Sequence, residues 1–194
     1  MRILIYLIAC LTLMACANPG SRVKESTLKT LSGTNLPTDV RAINVIRSPI
    51  DISEISNSNV LIRNQVINNW NSPVFDIKNR FGDLFMKNLE ANGFKVGYRG
   101  ASGFDSQPLA SNAITVFIRC KKITSQGGNT FFFVLVTVLD LDRKTPLFEY
   151  EDEINGGAYG KDRTPYFDNF TFRLLNLLRD KGVISRNGEF VLSQ

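Results

Sequence analysis

Histidine is absent from this chain of 194 residues, and cysteine occurs only at Cys10, Cys16 and Cys120. Without histidine the usual general base, metal ligand and thiol-activating partner of enzyme sites are all missing. No apolar run reaches the ~20 residues that a membrane-crossing helix needs, since the longest, Ile3 to Met14, is short and is broken at Thr12. Charge of one sign is not strongly in excess either: 23 Lys and Arg stand against 18 Asp and Glu, a formal +5. The basic residues are scattered, with Arg119, Lys121 and Lys122 as the one compact group. A nucleic-acid surface wants basic residues interleaved with exposed aromatics, yet most of the 14 Phe fall in apolar periodic segments. No nucleic-acid partner is expected. There is no internal repeat and no recognisable metal cluster, activated nucleophile or cofactor loop, so neither catalysis nor a cofactor is expected.

What is present begins at the N-terminus. "MRILIYLIACLTLMAC" carries one positive charge at Arg2, a short apolar stretch and then the small residue Ala15, the layout of an export signal over residues 1–15. The pattern Leu13-Met14-Ala15-Cys16 resembles the lipobox of bacterial lipoproteins. That resemblance implies cleavage before Cys16, a diacylglycerol on its sulfur and an acylated amino group. A second box, Leu7-Ile8-Ala9-Cys10, would leave an apolar region of only a few residues. One acyl chain holds a protein at a membrane only marginally, at about 0.8 kcal/mol per buried methylene, whereas two or more hold it stably. Cys16 is therefore the expected anchor. In enterobacterial lipoproteins an aspartate after the cysteine commonly retains the protein at the inner membrane. Here that place is Ala17, so the resemblance implies the periplasmic side of the outer membrane. Loss of residues 1–15 removes Arg2, leaving 22 basic against 18 acidic residues, a net charge near +4.

Residues 16–40 are polar, with Pro19 and Pro37 and no sustained periodicity, and read as a lipidated cysteine followed by a flexible tether. Residues 41–194 read as a single domain large enough for its own core. "RAINVI" predicts a first strand, with "VLIR" and "QVIN" as two further short ones. A helix follows, with Ser72 as cap, Pro73 at its first position, apolar residues at Ile77, Phe81, Leu84, Phe85 and Leu89, and Gly93 as its stop. "FKVGY" predicts a short strand and "RGASGFDSQPLAS" a loop. "AITVFIRCKKI" and "TFFFVLVTVLDL" predict a hairpin across Gly127-Gly128. The second of these strands is apolar on both sides from Phe131 to Leu139 apart from Thr137, which predicts a central position with both faces largely covered. "PLFEYEDEI" predicts a third strand. Thr164 and Pro165 open a last helix, with Phe167, Phe170, Leu174, Leu177 and Leu178 on one face and Gly182 at its end. The fold expected is α+β, an antiparallel sheet with two amphipathic helices on one face.

Several residues invite sharper readings. Cys120 alternates in step with Ile114, Val116 and Ile118, which makes it a core residue of a strand. A reactive thiol would need an activating neighbour. Glu149, Glu151, Asp152 and Glu153 are close in sequence, but alternation separates neighbours and their expected place is a solvent face. Gly156, Gly157 and Gly160 lack the lysine and hydroxyl arrangement of a phosphate loop and predict a flexible turn. Trp70 predicts a packing aromatic.

The lipobox, the helix exit "NGFKVG", the hairpin "AITVFIRCKKITSQGGNTFFFVLVTVLDL" and a terminal amphipathic helix together resemble the YajG-like lipoproteins. The resemblance implies an exported lipoprotein without an agreed enzymatic role. Two functions fit: a periplasm-facing binding or adaptor lipoprotein with a protein partner in the cell envelope, or an auxiliary lipoprotein of an ABC-type or intermembrane lipid transport system, to which Trp70 is loosely suited.

Overall fold

A computed structural model describes residues 29–30, 37–50, 70–72, 81–103, 106–126, 129–142, 144–158, 164–185 and 188–192. Their elements run β1 (Lys29–Thr30), β2 (Ala42–Arg47), α1 (Phe81–Ala91), β3 (Lys95–Arg99), β4 (Ile114–Gln126), β5 (Asn129–Leu139), β6 (Pro146–Ala158) and α2 (Thr164–Asp180). The strands form one sheet in the order β1-β6-β5-β4-β2-β3. The class is α+β.

The sheet is mixed, which corrects the expectation of an antiparallel one. β4, β5 and β6 pair antiparallel as successive hairpin strands, but β2 runs parallel to both β3 and β4. The cause lies in the connections. Two strands joined through an intervening helix re-enter the sheet from the same end, and α1 lies between β2 and β3. Lys29 and Thr30 pair with Glu149 and Phe148 of β6, so sheet pairing begins inside the stretch read as a tether.

Alternation sorts β4, β5 and β6 into a buried and a less buried side, whereas β2 is buried on both. Ile43 and Val45 of β2 align with Ile114 and Val116 of β4, and these continue into Val136, Val138, Phe148 and Tyr150, all inaccessible to solvent. α1 packs beside α2 and against β3, and α2 packs against β6. The two helices meet through aromatic rings: Phe81 stands edge-on to Phe167 with centroids 5.1 Å apart, and Phe85 lies 5.6 Å from Phe170. Such pairs add to plain area burial.

Both helices end where glycine predicted. Gly93 and Gly182 have φ of 84° and 73°, and each closes the same pair of bonds. Gly93 N and Phe94 N donate to Glu90 O and Leu89 O, while Gly182 N and Val183 N donate to Arg179 O and Leu178 O. Carbonyls of the last turn are thereby satisfied, and Phe94 and Val183 enter the core.

The glycine-rich turn expected after residue 155 is corrected in part. β6 continues through Gly156 and Gly157 to Ala158, pairing with Thr130 and Asn129. A Cβ at Gly156 would lie 2.7 Å from Cε2 of Phe132, so glycine there lets the ring lie against the strand. The strand candidates at 60–63 and 65–68, the helix start at Pro73 and the Gly127-Gly128 turn lie outside the described residues. Among the described residues no helix is long and apolar enough to cross a membrane.

Candidate interaction face

The side of β5 opposite the core carries Phe131, Phe133, Leu135, Thr137 and Leu139, each half-buried. As expected, β5 is internal, flanked by β4 and β6; one of its faces is fully buried and the other is partly accessible. Strand register sets what lies beside the apolar line. Leu135 stands between Arg119 of β4 and Glu151 of β6, and Phe133 between Lys122 and Glu153. One step further, Thr137 stands between Phe117 and Glu149 and its Oγ1 donates to Glu149 Oε2 at 3.1 Å. The face is therefore an apolar rail with a basic rail along β4 and an acidic rail along β6.

A register shift between Cys120 and Lys122 completes the basic rail. One extra residue in a strand reverses the side on which the following residues fall. The shift places Lys122 beside Phe133, with Nζ 5.7 Å from the ring centroid. The sequence group Arg119, Lys121 and Lys122 is in this way built into the sheet, with Lys121 at the irregularity.

At its β2 end the same side of the sheet is closed by the loop after β3. Asn44, wholly buried, donates through Nδ2 to Ala110 O at 3.0 Å and accepts from Ala110 N at Oδ1 at 2.8 Å. Gln107 N donates to Tyr98 O at 2.8 Å, and Ala42, Ala110 and Ala113 form a small apolar cluster. Among the described residues, the less buried part of this face thus lies on β4, β5 and β6.

The acidic residues of β6 divide by parity. Glu149, Glu151 and Glu153 share the open side, whereas Asp152 shares the buried side with Tyr150. The expectation that all four line a solvent face is corrected for Asp152. Its carboxylate meets Arg173 of α2, which donates from Nε to Oδ2 at 3.0 Å and lies 2.8 Å from Oδ1 through Nη2. Burial raises the Asp152 carboxyl above its ordinary range, against the lowering pull of Arg173.

The remaining polar groups under the sheet serve packing. Trp70 is wholly buried, its ring 5.2 Å from that of Phe132, and its Nε1 donates to Ser48 O at 2.8 Å. Arg47 is buried beside it, with Cζ 4.7 Å from the indole centroid, and donates to Trp70 O. Cys120 is buried as its alternation predicts, and desolvation pushes its thiol up to about 12. A thiol so held is almost entirely protonated at neutral pH and is a poor nucleophile. Among the described residues no three His, Cys, Asp or Glu side chains come together in a way that could hold a metal ion. Leu13, Met14, Ala15 and Cys16 lie outside the described residues.

No protein-family model and no curated protein matches the chain. Among solved structures, the PelC dodecamer from Paraburkholderia phytofirmans aligns at a TM-score of 0.40 with 11% identity, covering 83% of this chain and 99% of that one. A point variant of the same dodecamer aligns at 0.41 with 12% identity, covering 83% and 98%. The similarity is distant.

Proposed function

We propose that this chain is a lipid-anchored binding or adaptor protein of the bacterial outer membrane, facing the periplasm and held by lipidated Cys16, and that its working surface is the open side of β4, β5 and β6. One observation carries the surface: Phe133 and Leu135 are only half-buried where Phe132 and Val134 beside them are sealed, and each stands between a basic residue of β4 and an acidic residue of β6. Apolar patches rimmed by polar groups mark interaction sites. In this reading the helices form a single layer on the opposite side and leave the charged face to a protein partner in the envelope. The anchor rests on the lipobox and agrees with the resemblance to YajG-like lipoproteins. Trp70, the residue that suited a transport-accessory role, is consumed in the core. A photo-crosslinking residue at Leu135 of the full-length chain in cells should give a discrete protein adduct, whereas one at neighbouring Val136, which points inward, should not. Absence of any adduct from Leu135, or equal adducts from both sites, would overturn the assignment.

A further inference from the structure

The open face is complementary to itself. Arg119, Leu135 and Glu151 lie in one row across β4, β5 and β6, and Lys122, Phe133 and Glu153 in the next. Turning a second copy over about a two-fold axis parallel to β5 keeps each row at its own height and exchanges the two outer strands. β4 then faces the partner's β6, so Arg119 meets the partner's Glu151 and Lys122 meets the partner's Glu153, while Leu135 and Phe133 face their own counterparts. An axis perpendicular to the strands would instead set basic rail on basic rail and acidic on acidic, which charge repulsion disfavours. A two-fold contact needs one patch that answers itself in this way.

We propose that the partner seated on this face is a second copy of the chain, related by a two-fold axis along β5. The proposal rests on the reading of the face as an interaction surface and names its occupant. Face-to-face sheets pack about 10 Å apart with interdigitating side chains, a spacing that the half-buried rings of Phe131 and Phe133 can help fill. Three strands of this length offer on the order of 500 Å² per copy by strand spacing and rise, below the ~800 Å² of a standard stable interface. The dimer is accordingly reversible and concentration-dependent, and local concentration at a membrane would favour it.

The test uses the full-length lipoprotein in detergent, with oligomeric state measured by sedimentation over a range of concentrations. One variant carries Arg119→Glu and Lys122→Glu, making both rails acidic. A second carries Glu151→Lys and Glu153→Lys, making both basic. Each alone should associate at least about tenfold more weakly than the parent, and an equimolar mixture should recover dimers because each supplies what the other lacks. Leu135→Ser, on the axis, should weaken association without altering charge, and far-ultraviolet dichroism of each variant confirms that it is folded. A parent chain that dimerises with no response to these changes would overturn the proposal, as would a mixture that fails to recover. A parent that stays monomeric throughout would overturn the second copy alone if Leu135 still crosslinks to another polypeptide in cells. If that crosslink is also missing, the interaction-surface reading falls with it.

Discussion

Arg173 of α2 and Asp152 of β6 form a two-pronged ion pair, with contacts of 3.0 and 2.8 Å, in which the aspartate side chain is 1% exposed and the arginine 18%. Arg173 Nη2 also donates to Glu153 O at 2.9 Å. The pair ties the last helix to the strand whose outer side carries the acidic rail. Its two members are not equivalent, because Arg173 reaches water and Asp152 does not.

That asymmetry predicts unequal costs. Arg173→Met strands a buried carboxylate and should lose roughly 3 to 5 kcal/mol at neutral pH. Asp152→Asn leaves a guanidinium that keeps solvent and the Glu153 carbonyl, and should lose less. The sign of the pH dependence follows from burial. Asp152 is raised from its ordinary 3.8 in the folded chain, so the folded state holds that proton more tightly than the unfolded one. Its stabilising contribution is whole below 3.8 and is lost as pH climbs through the folded value. The deficit of Arg173→Met should therefore shrink on acidification. Denaturant midpoints of both variants across pH test this, and an Asp152→Asn deficit equal to that of Arg173→Met at neutral pH would contradict it.

Asn44 should govern the loop that closes the β2 end of the open face. Its side chain both donates to and accepts from Ala110. Asn44→Ala leaves the Ala110 amide and carbonyl without those partners, at about 2 kcal/mol. Amide exchange at Ala110 should accelerate while that of Val136 in β5 changes only with global stability. Unchanged exchange at Ala110 would show that the loop is held by other means.

Cys120 should be inert. With its thiol pushed up to about 12 by burial, a maleimide should modify the Cys120 peptide only at the rate of unfolding. Cys120→Ala should cost on the order of 1 kcal/mol for an imperfectly filled site. Rapid modification in the native protein would contradict the burial.

Cys16 should carry the membrane attachment. Cys16→Ser is expected to abolish incorporation of labelled fatty acid and to leave an uncut or misprocessed chain, whereas Cys10→Ser is processed normally. Continued lipid labelling of the Cys16 variant would remove the anchor from the proposed function.

Period-two patterning made some of this legible and hid the rest for definite reasons. The step from Ile114 to Cys120 can be read by eye, as can the glycine stops at 93 and 182. Carrying the step from Phe148 and Tyr150 one place further reaches Asp152, and carrying it from Ile43 and Val45 reaches Arg47. Both charged residues therefore had a buried address in the sequence, obscured because charge alone argues for solvent. The position of Lys122 was not available in this way, since a register irregularity has no fixed sequence signal and inverts the side of every residue after it. The parallel pairing of β2 depends on how the chain returns through α1, a property of connection rather than of composition.

The sharpest contrast lies within β5 itself. Phe132 and Val134 are 2% and 1% exposed, while Phe133 and Leu135, interleaved with them, are half-buried. Hydrophobicity is the same in both pairs, so only the direction in which each side chain points distinguishes them. Replacing Phe132 and Val134 with serine removes two core side chains and inserts hydroxyls with no assured partner. Each truncation costs several kcal/mol, and together they rival the ~5–15 kcal/mol that holds a domain of this size folded. The same change at Phe133 and Leu135 removes contacts already shared with water and should cost about 1 kcal/mol per site. Thermal melts of the two double variants should show no cooperative transition for the first and a modestly lowered one for the second. Loss of the transition in both would mean that the open face is itself structural, and equal tolerance of both would mean that β5 does not alternate as described.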